Sequence, residues 1–488
     1  MDIAVVVIYL LGMIAFGFWG RRRAKTESDF LVAGRRLGPL LYSGTMAAVV
    51  LGGASTIGGV GLGYEYGISG MWLVVAIGVG IIALSLLFAG RIQRLRVYTV
   101  SQMLELRYGP GSSVLSGVVM WGYTLMLSVT STIAYGTIFS ALFDIGRVPA
   151  ILIGGGVVIV YSTLGGMWSI TLTDFVQFLI QTVGIFFILL PIVLSKVGGF
   201  SGLAAAVPDD ALSLTAIGGE TILTYFVIYS FGLLIGQDIW QRVFTARSPG
   251  VARWAGTAAG VYCLAYGVAG ALVGTAAQAL LPALDNRDDA FAELVSLQLP
   301  AVLAGLVLAA ALAAVMSTSS GALIATATVF RHSIVARLLK QTPTDADDDE
   351  VGSNRYYVLG FGLVMVAISC ILLDVVAALT VAYAILVGGL LVPILGGLLW
   401  RRGTNVGAVA AMAVGTVATL ATMIVLGDIY ANEPIYVGLG SGLLVFVVGS
   451  LLSPPTSDAV LAEWDRRSAG KGKVNPESEQ ARASQPPQ

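Results

Sequence analysis

The chain has 488 residues, of which 57% are hydrophobic and only 11% charged, with a formal net charge of −1. A soluble domain carries about 25% charged residues, so this composition excludes a water-soluble globular protein of this size. The near-zero net charge gives no reason to expect nucleic acid as a partner, and we predict an all-α polytopic membrane protein whose surroundings are the lipid bilayer.

Thirteen apolar segments follow one another along the chain, and each has about the length that a helix needs to cross a bilayer. We number them as spans one to thirteen in chain order. Their predicted bounds are Asp2–Gly20, Pro39–Tyr64, Ile68–Gly90, Val114–Phe143, Val148–Leu164, Asp174–Val197, Thr221–Trp240, Trp254–Leu281, Pro300–Phe330, Tyr357–Leu373, Ala377–Trp400, Val406–Leu426 and Ile435–Leu452.

The basic residues alternate between the loops that connect these spans. Of the 27 lysines and arginines, only Arg147, Lys196 and Arg287 fall on one side of the membrane, and all others fall on the opposite side. Because cytoplasmic loops carry the excess of basic residues, the N-terminus is predicted outside and the C-terminus in the cytoplasm, in a multi-pass protein of the cell membrane. Residues 1–453 form one transmembrane domain, and the polar segment 454–488 is predicted to be a mostly disordered cytoplasmic tail.

Glycine occupies six of the twelve positions from Gly52 to Gly63, inside the second span. Each glycine costs a helix about 1 kcal/mol relative to alanine, so we predict that this helix is broken. A break at membrane depth is tolerated where it lines a cavity, and carriers use the freed carbonyls to bind a coupling cation. A second break is predicted in the seventh span near Ser230 and Gly236, after which Asp238 and Arg242 have the spacing of a helical ion pair.

Four consecutive hydroxyl residues, Ser317 to Ser320, lie in the middle of the ninth span. Each hydroxyl can bond to its own helix one turn earlier, which is the simpler interpretation, or two of them can offer oxygen ligands to Na+. Asp174 opens the predicted sixth span, either as a helix cap or as part of a cation pathway.

The chain contains one histidine and two cysteines, Cys263 and Cys370, which lie in different spans. This spacing favours neither a disulfide nor a catalytic metal site, and the chain has no motif for ATP binding. We therefore expect no enzymatic activity, no cofactor and no metal other than sodium as the coupling ion.

Five segments, spread in order from the first loop to the ninth span, resemble the sodium:solute symporter family, which includes bacterial proline, pantothenate, sialic acid and galactose carriers. These segments are Ser28–Gly38, Thr99–Gly109, Tyr161–Gln177, Gln237–Arg242 and Ala313–Ser320. The resemblance implies a leucine-transporter-like core of ten helices in two inverted repeats of five, at about residues 39–197 and 221–400.

The resemblance also implies a sodium site. In the family, carbonyls of the first broken helix, one carbonyl of the eighth core helix and two hydroxyls after it hold the ion. The matching positions here are Ala48, Leu51, Ala314, Ser317 and Thr318, and the family's acidic residue near the sodium exit matches Asp174.

The chain departs from particular family members in three places. Val50 replaces the aspartate of the proline carriers, Gly321 follows Ser320 where relatives with two sodium ions have further hydroxyls, and Ala54 and Ser55 replace a polar pair of the galactose carriers. One sodium ion is therefore favoured over two, and sugar recognition loses support.

The predicted function is sodium-coupled symport of a small organic solute by alternating access. The alternatives are a solute sensor that uses the carrier fold without net transport, and a proton-coupled symporter. A sensor would need a relay domain that the short tail cannot contain, and proton coupling would need a titratable group that the sodium-site residues do not supply. We expect the solute, of undetermined identity, beside Ala54, Ser55, Thr56, Tyr229 and Gln237, and no obligatory protein partner.

Overall fold

The computed structural model describes residues 3–109, 111–143, 145–284, 286–339, 348–372, 375–427 and 431–470. The helices that form spans one to seven are Ile3–Arg23; Pro39–Val50, Ala54–Gly58 and Gly59–Tyr66; Trp72–Ala83, Leu84–Ala89 and Gly90–Leu95; Ser112–Phe143; Arg147–Thr182, which bends at Gly166 and contains span five and the start of span six; Val183–Leu189 and Leu190–Lys196; and Gly219–Tyr225, Phe226–Ser230, Phe231–Ile235 and Gln237–Thr245.

The helices that form spans eight to thirteen are Pro249–Leu280; Ala301–Val329, Phe330–Val335 and Ala336–Leu338; Asp348–Ile371; Val375–Leu399; Asn405–Leu426; and Glu433–Leu452. Shorter helices outside the spans are Glu27–Val32, Ala33–Arg35, Gly67–Met71, Val100–Tyr108, Gly199–Ala206, Asp209–Leu212, Arg287–Asp289, Ala290–Gln298 and Asp458–Ser468.

Within the described residues, 9 helical stretches are long and apolar enough to cross a membrane, and one bent pair brings the number to 10. Two of these helices are themselves divided. A short turn at Gly67–Met71 interrupts Ala54–Leu95, and Gly166 interrupts Arg147–Lys196 with a positive φ of 53°. Counting both halves of each, together with the first helix, gives the thirteen spans that the hydropathy pattern predicts.

Gly166 is needed for this sharp turn between spans five and six. An added Cβ would lie 2.5 Å from the Phe30 carbonyl oxygen, and the positive φ is unfavourable for any residue with a side chain. Because the sixth span begins directly after Gly166, Asp174 lies about two turns inside the helix. The interpretation of Asp174 as a helix cap is therefore wrong.

The break in the second span is shorter than the glycine pattern predicts. The inner helix ends at Val50, Leu51 has the non-helical angles φ −92° and ψ 49°, and a wide helical turn begins again at Ala54. The glycines that follow are helical. Gly63 lies against the backbone of Ala271, where a Cβ would approach the carbonyl oxygen to 2.6 Å. Gly63 therefore permits close packing against the eighth span.

Gly274, on the eighth span, provides a test of this packing. Gly274→Ala is expected to lower the melting temperature of the purified protein, because its Cβ would lie 2.1 Å from the Val60 carbonyl oxygen. Overpacking of this kind costs about 1–3 kcal/mol. Gly270→Ala is the matched control, one turn earlier on the same helix, where nothing lies within 4 Å of the added Cβ. Equal melting temperatures for the two variants would contradict the packing.

The ninth span is the central helix of the structure. Nearly all of its residues from Ala304 to Val329 are buried, and it packs against the inner helix of the second span and against spans four, five, six and ten. A helix that is apolar on every face is typical of the interior of a bundle. The run of hydroxyls in its middle is therefore removed from lipid on all sides.

The loops on the basic side are tied together by polar contacts. Leu37 pairs with Thr245 and Arg247 through backbone hydrogen bonds of 3.0 Å. Glu27 lies 2.5 Å from Arg331 Nη1 and 3.2 Å from His332 Nε2. Burial by itself would raise the pKa of Glu27, but these two neighbours outweigh it and hold the pKa at about 2. The first loop is thereby fixed to the end of the ninth span.

Part of the predicted disordered tail is a helix, Asp458–Ser468. Trp464 is 3% exposed, and the Arg91 guanidinium lies 5.1 Å from the centre of the Trp464 ring. The neighbouring Asp465 pairs with Arg401 at 3.0 Å. The prediction of disorder is wrong for this segment, because one buried aromatic side chain and an ion pair give it partners. Residues 471–488 lie outside the described residues.

Candidate functional site

The carbonyls at the end of the inner helix of the second span each accept a hydrogen bond from a side-chain hydroxyl. The last carbonyls of a helix have no partner within the helix, so other groups must supply the donors. The bonds, in order along the chain, are Ser317 Oγ to Ala48 O at 2.8 Å, Thr318 Oγ1 to Val49 O at 2.8 Å, Ser55 Oγ to Val50 O at 2.8 Å and Thr56 Oγ1 to Leu51 O at 3.3 Å.

Ser317 and Thr318 connect this helix end to the ninth span. Their hydroxyls also contact the Ala314 carbonyl one turn earlier on their own helix, at 2.9 and 3.5 Å. Gly52 allows the approach, because a Cβ there would lie 2.3 Å from Thr318 Oγ1. Neutral hydroxyl and carbonyl oxygens from two helices thus lie within hydrogen-bond distance of one another in the buried interior. Oxygen atoms are the ligands that hard cations prefer.

Four of the five positions predicted to bind sodium belong to this connected set, namely Ala48, Ala314, Ser317 and Thr318. At the fifth position, Leu51, the carbonyl instead accepts a hydrogen bond from Thr56, and Val49 presents the carbonyl that Thr318 reaches. The sequence did not identify the Val49 carbonyl as a candidate ligand. Which carbonyls lack a partner within the helix depends on the residue at which the helix ends.

Asp174 is fully buried and paired with a cation from the seventh span. Its Oδ2 accepts a hydrogen bond of 2.5 Å from Thr45 and lies 3.1 Å from Arg242 Nη2, and both members of the ion pair have 0% exposed side chains. The predicted pairing of Arg242 with Asp238 is wrong. Arg242 contacts the Asp238 backbone carbonyl, and the Asp238 carboxylate accepts a hydrogen bond from Tyr123.

This ion pair lies close to the hydroxyl run. A Cβ on Gly321 would lie 2.6 Å from Arg242 Nη2, and Gly321 follows Ser317 by about one helical turn. Along the ninth span, the neutral oxygens of Ser317 and Thr318 are therefore followed by the Arg242–Asp174 pair. The pairing was not evident from sequence because Asp174 and Arg242 lie on different spans.

The candidate substrate residues do not form one cluster. Ala54 is exposed, whereas the Ser55 and Thr56 hydroxyls bond to the helix end, and Thr56 also contacts the Tyr266 hydroxyl at 2.9 Å. Tyr229 packs edge-on against Tyr383, with their ring centres 5.6 Å apart. Neither tyrosine partner was predicted, and no signal in the sequence distinguishes them from other apolar-face tyrosines.

Gln237 occupies a different place from the other candidates. Its amide oxygen accepts a hydrogen bond from the Val100 backbone N–H at 2.8 Å, and its amide nitrogen donates to the Tyr98 carbonyl at 2.9 Å. Both ends of the amide are therefore engaged by the backbone of the loop that follows the third span. The structure gives Gln237 a positioning role in that loop, not a place beside Ser55.

Comparisons with known proteins agree on the family. The profile of the Sodium:solute symporter family matches residues 30–415. The high-affinity proline transporter PutP of Bacillus subtilis is 26% identical, over 93% of this chain and 98% of its own length. The sodium/proline symporter of Salmonella typhimurium is 27% identical over 97% of each chain.

A solved structure shows the same fold. The Na+-coupled sialic acid symporter, in a substrate-bound outward-open state, aligns with a TM-score of 0.79 at 18% identity, over 93% of this chain and 98% of that one. A second transporter, MhsT in complex with L-phenylalanine, aligns with a TM-score of 0.52 at 13% identity, over 89% of this chain and 98% of that one. These likenesses confirm the leucine-transporter-like architecture.

Proposed function

Because the chain belongs to the sodium:solute symporter family and is a sodium-coupled symporter of a small solute, we propose where in this structure the sodium ion binds and how it leaves. The ion lies between the end of the inner second-span helix and the ninth span. Its ligands are the carbonyls of Ala48, Leu51 and Ala314 and the hydroxyls of Ser317 and Thr318. The observation that carries this proposal is the bonding of Ser317 and Thr318 to the helix end.

Sodium binding requires a small rearrangement of these groups. Ser317 and Thr318 now donate their protons to carbonyls, and on binding each hydroxyl must turn so that its oxygen faces the ion. The Leu51 carbonyl must lose its hydrogen bond from Thr56 and bind the ion instead. Val49 is the alternative carbonyl ligand, since Thr318 already reaches it. Both arrangements are electrically neutral, so the ion needs no proton transfer to bind.

Asp174 forms part of the cation pathway in this proposal. Arg242 now neutralises its carboxylate, so a sodium ion that leaves Ser317 meets a carboxylate that is already paired. The ion then has to compete with the guanidinium for Asp174. This competition makes the exit dependent on the position of the seventh span, which carries Arg242, and it gives a physical route by which helix movement and ion release are coupled.

We place the solute between the second-span break, at Ala54, Ser55 and Thr56, and Tyr229 of the seventh span. Gln237 is not part of this site, because the loop backbone engages both ends of its amide. Backbone N–H groups at the start of the outer helix are suited to an anionic group. We propose a small solute with a carboxylate, such as an amino acid or a monocarboxylate.

Ser55→Trp is expected to abolish solute uptake by occupying the proposed solute site, while 22Na+ binding by the purified protein is retained. Counterflow in proteoliposomes with radiolabelled proline, short monocarboxylates and pantothenate first identifies a solute, and the variant is then tested with it. Ser55→Ala is the control, because it removes the same hydrogen bond to Val50 without adding volume. Normal transport by Ser55→Trp would overturn the proposed position of the solute, and the same loss in Ser55→Ala would assign the effect to the hydrogen bond.

The proposed orientation places the N-terminus outside and the tail in the cytoplasm, supported by the alternation of basic loops. In a background with Cys263→Ser and Cys370→Ser, an impermeant thiol reagent should label Thr215→Cys in intact cells. Ser457→Cys should be labelled only after the membrane is opened. Both positions are exposed. Labelling of Ser457→Cys in intact cells would reverse the orientation or the span count.

A further inference from the structure

A cavity of about 340 Å³ lies away from the sodium and solute sites, between the end of the third span and the start of the eighth. Its walls come from the segment Leu86–Arg94 and from the first turns of Pro249–Leu280. Ligand sites in proteins begin at about this volume, so the cavity has room for a small polar group.

Three arginines line the cavity, namely Arg91, Arg94 and Arg253. Arg91 donates a hydrogen bond to the Leu398 carbonyl and stacks on Trp464. Arg94 and Arg253 are both exposed, and neither forms an ion pair with a carboxylate in the described part of the chain. Two positive charges at one cavity without an acidic partner indicate an anionic ligand.

The backbone adds to this positive field. Pro249 is the first residue of a 32-residue helix, Ser248 caps it by accepting a hydrogen bond from the Val251 N–H, and Gly250 lies in the cavity wall. The start of a helix carries a partial positive charge and free N–H groups that favour phosphate. The helix start and the arginines therefore act on the same place.

Large apolar side chains at the cavity indicate that the anion carries acyl chains. Leu87 is 68% exposed and Trp254 is 63% exposed, and both line the cavity. Trp254 also stacks against Arg253, whose guanidinium lies 5.1 Å from its ring centre. Tryptophan is enriched at the level of lipid headgroups, and a free phosphate would gain nothing from these two exposed groups.

We propose that this cavity binds one anionic phospholipid, with its phosphate between Arg94 and Arg253 and an acyl chain along Leu87 and Trp254. Basic pockets between transmembrane helices are a known type of lipid headgroup site. The lipid would join the end of the third span to the start of the eighth. These two spans pack against each other, and they belong to different repeats of the core.

Native mass spectrometry of the full chain with added phosphatidylglycerol tests this proposal. Arg94→Gln/Arg253→Gln is expected to bind the lipid about tenfold more weakly than the wild type, with phosphatidylcholine binding unchanged. Arg21→Gln/Arg22→Gln is the matched control, since it removes the same charge from exposed positions at the end of the first helix. Equal weakening in both double variants, or in neither, would overturn the site.

Two further arms separate the lipid from a small anion and from misfolding. A large excess of inorganic phosphate should leave bound phosphatidylglycerol in place, and full displacement would contradict a lipid site. Leu87→Ala/Trp254→Ala retains the arginines and should also lose the lipid. If Arg94→Gln/Arg253→Gln and Leu87→Ala/Trp254→Ala both melt at the wild-type temperature and both retain the lipid, the proposal is wrong.

Discussion

Replacing Ser317 and Thr318 together by alanine is expected to raise the sodium concentration for half-maximal uptake by at least about tenfold, which corresponds to about 1.4 kcal/mol of lost sodium affinity. The variant removes two of the five proposed ligands and both hydroxyls that reach the Ala48 and Val49 carbonyls. Each single variant should give a smaller rise. Uptake in proteoliposomes over a range of external sodium concentrations measures the change.

Thr326→Ala is the matched control for this experiment. Thr326 lies on the same helix and is also buried, but within the described part of the chain its hydroxyl bonds only to the Ala322 carbonyl of its own helix, at 2.8 Å. Loss of that bond should leave the sodium requirement unchanged. If the Thr326 variant shifts the requirement as far as the Ser317/Thr318 variant does, the effect reflects general loosening of the ninth span and the assignment fails.

Arg242→Met is expected to destabilise the protein by about 3–5 kcal/mol, because it leaves the Asp174 carboxylate buried without its cation. Arg242→Met/Asp174→Leu replaces the whole pair by apolar groups of similar size and should recover much of this loss. The thermal unfolding of both variants in detergent measures the difference. Recovery in the double variant would show that the unpaired charge causes the loss of stability, because losses from packing alone would sum over the two substitutions.

Arg287→Met is the comparison for the same substitution in an exposed pair. Arg287 lies 2.5 Å from Glu65, but both side chains are well exposed, at 38% and 43%. A surface ion pair contributes about 0–1 kcal/mol, so this variant should melt close to the wild type. A melting temperature for Arg242→Met as high as that of Arg287→Met would contradict the importance of the buried pair.

The number of spans and the fold were predictable from sequence, because hydropathy reports which segments leave water and the basic loops check their count. The interior hydroxyl run was also visible, since four consecutive hydroxyl residues are unusual in an apolar helix. The partners of these groups were less visible. Ser317 and Ala48 are 269 positions apart, and only the family resemblance implied that they meet.

The errors arose where one pattern fits two structures. Glycine-rich sequence predicts a broken helix, but beyond Gly53 the same residues form a helix that packs closely on the eighth span. Helical spacing predicted an ion pair between Asp238 and Arg242. The Arg242 guanidinium instead pairs with the carboxylate of Asp174, which lies 68 positions before Arg242 in the chain. Spacing along one helix cannot reveal a second carboxylate that only the tertiary fold brings close to the arginine.

The most direct test of the proposed sodium site is equilibrium binding of 22Na+ to the purified protein. The wild type should bind one sodium ion per chain, and Thr326→Ala should bind it equally well. Ser317→Ala/Thr318→Ala should lose saturable binding over the same concentration range while still unfolding in one cooperative thermal transition. Unchanged 22Na+ affinity in a folded Ser317→Ala/Thr318→Ala variant would contradict a sodium site between the second and ninth spans.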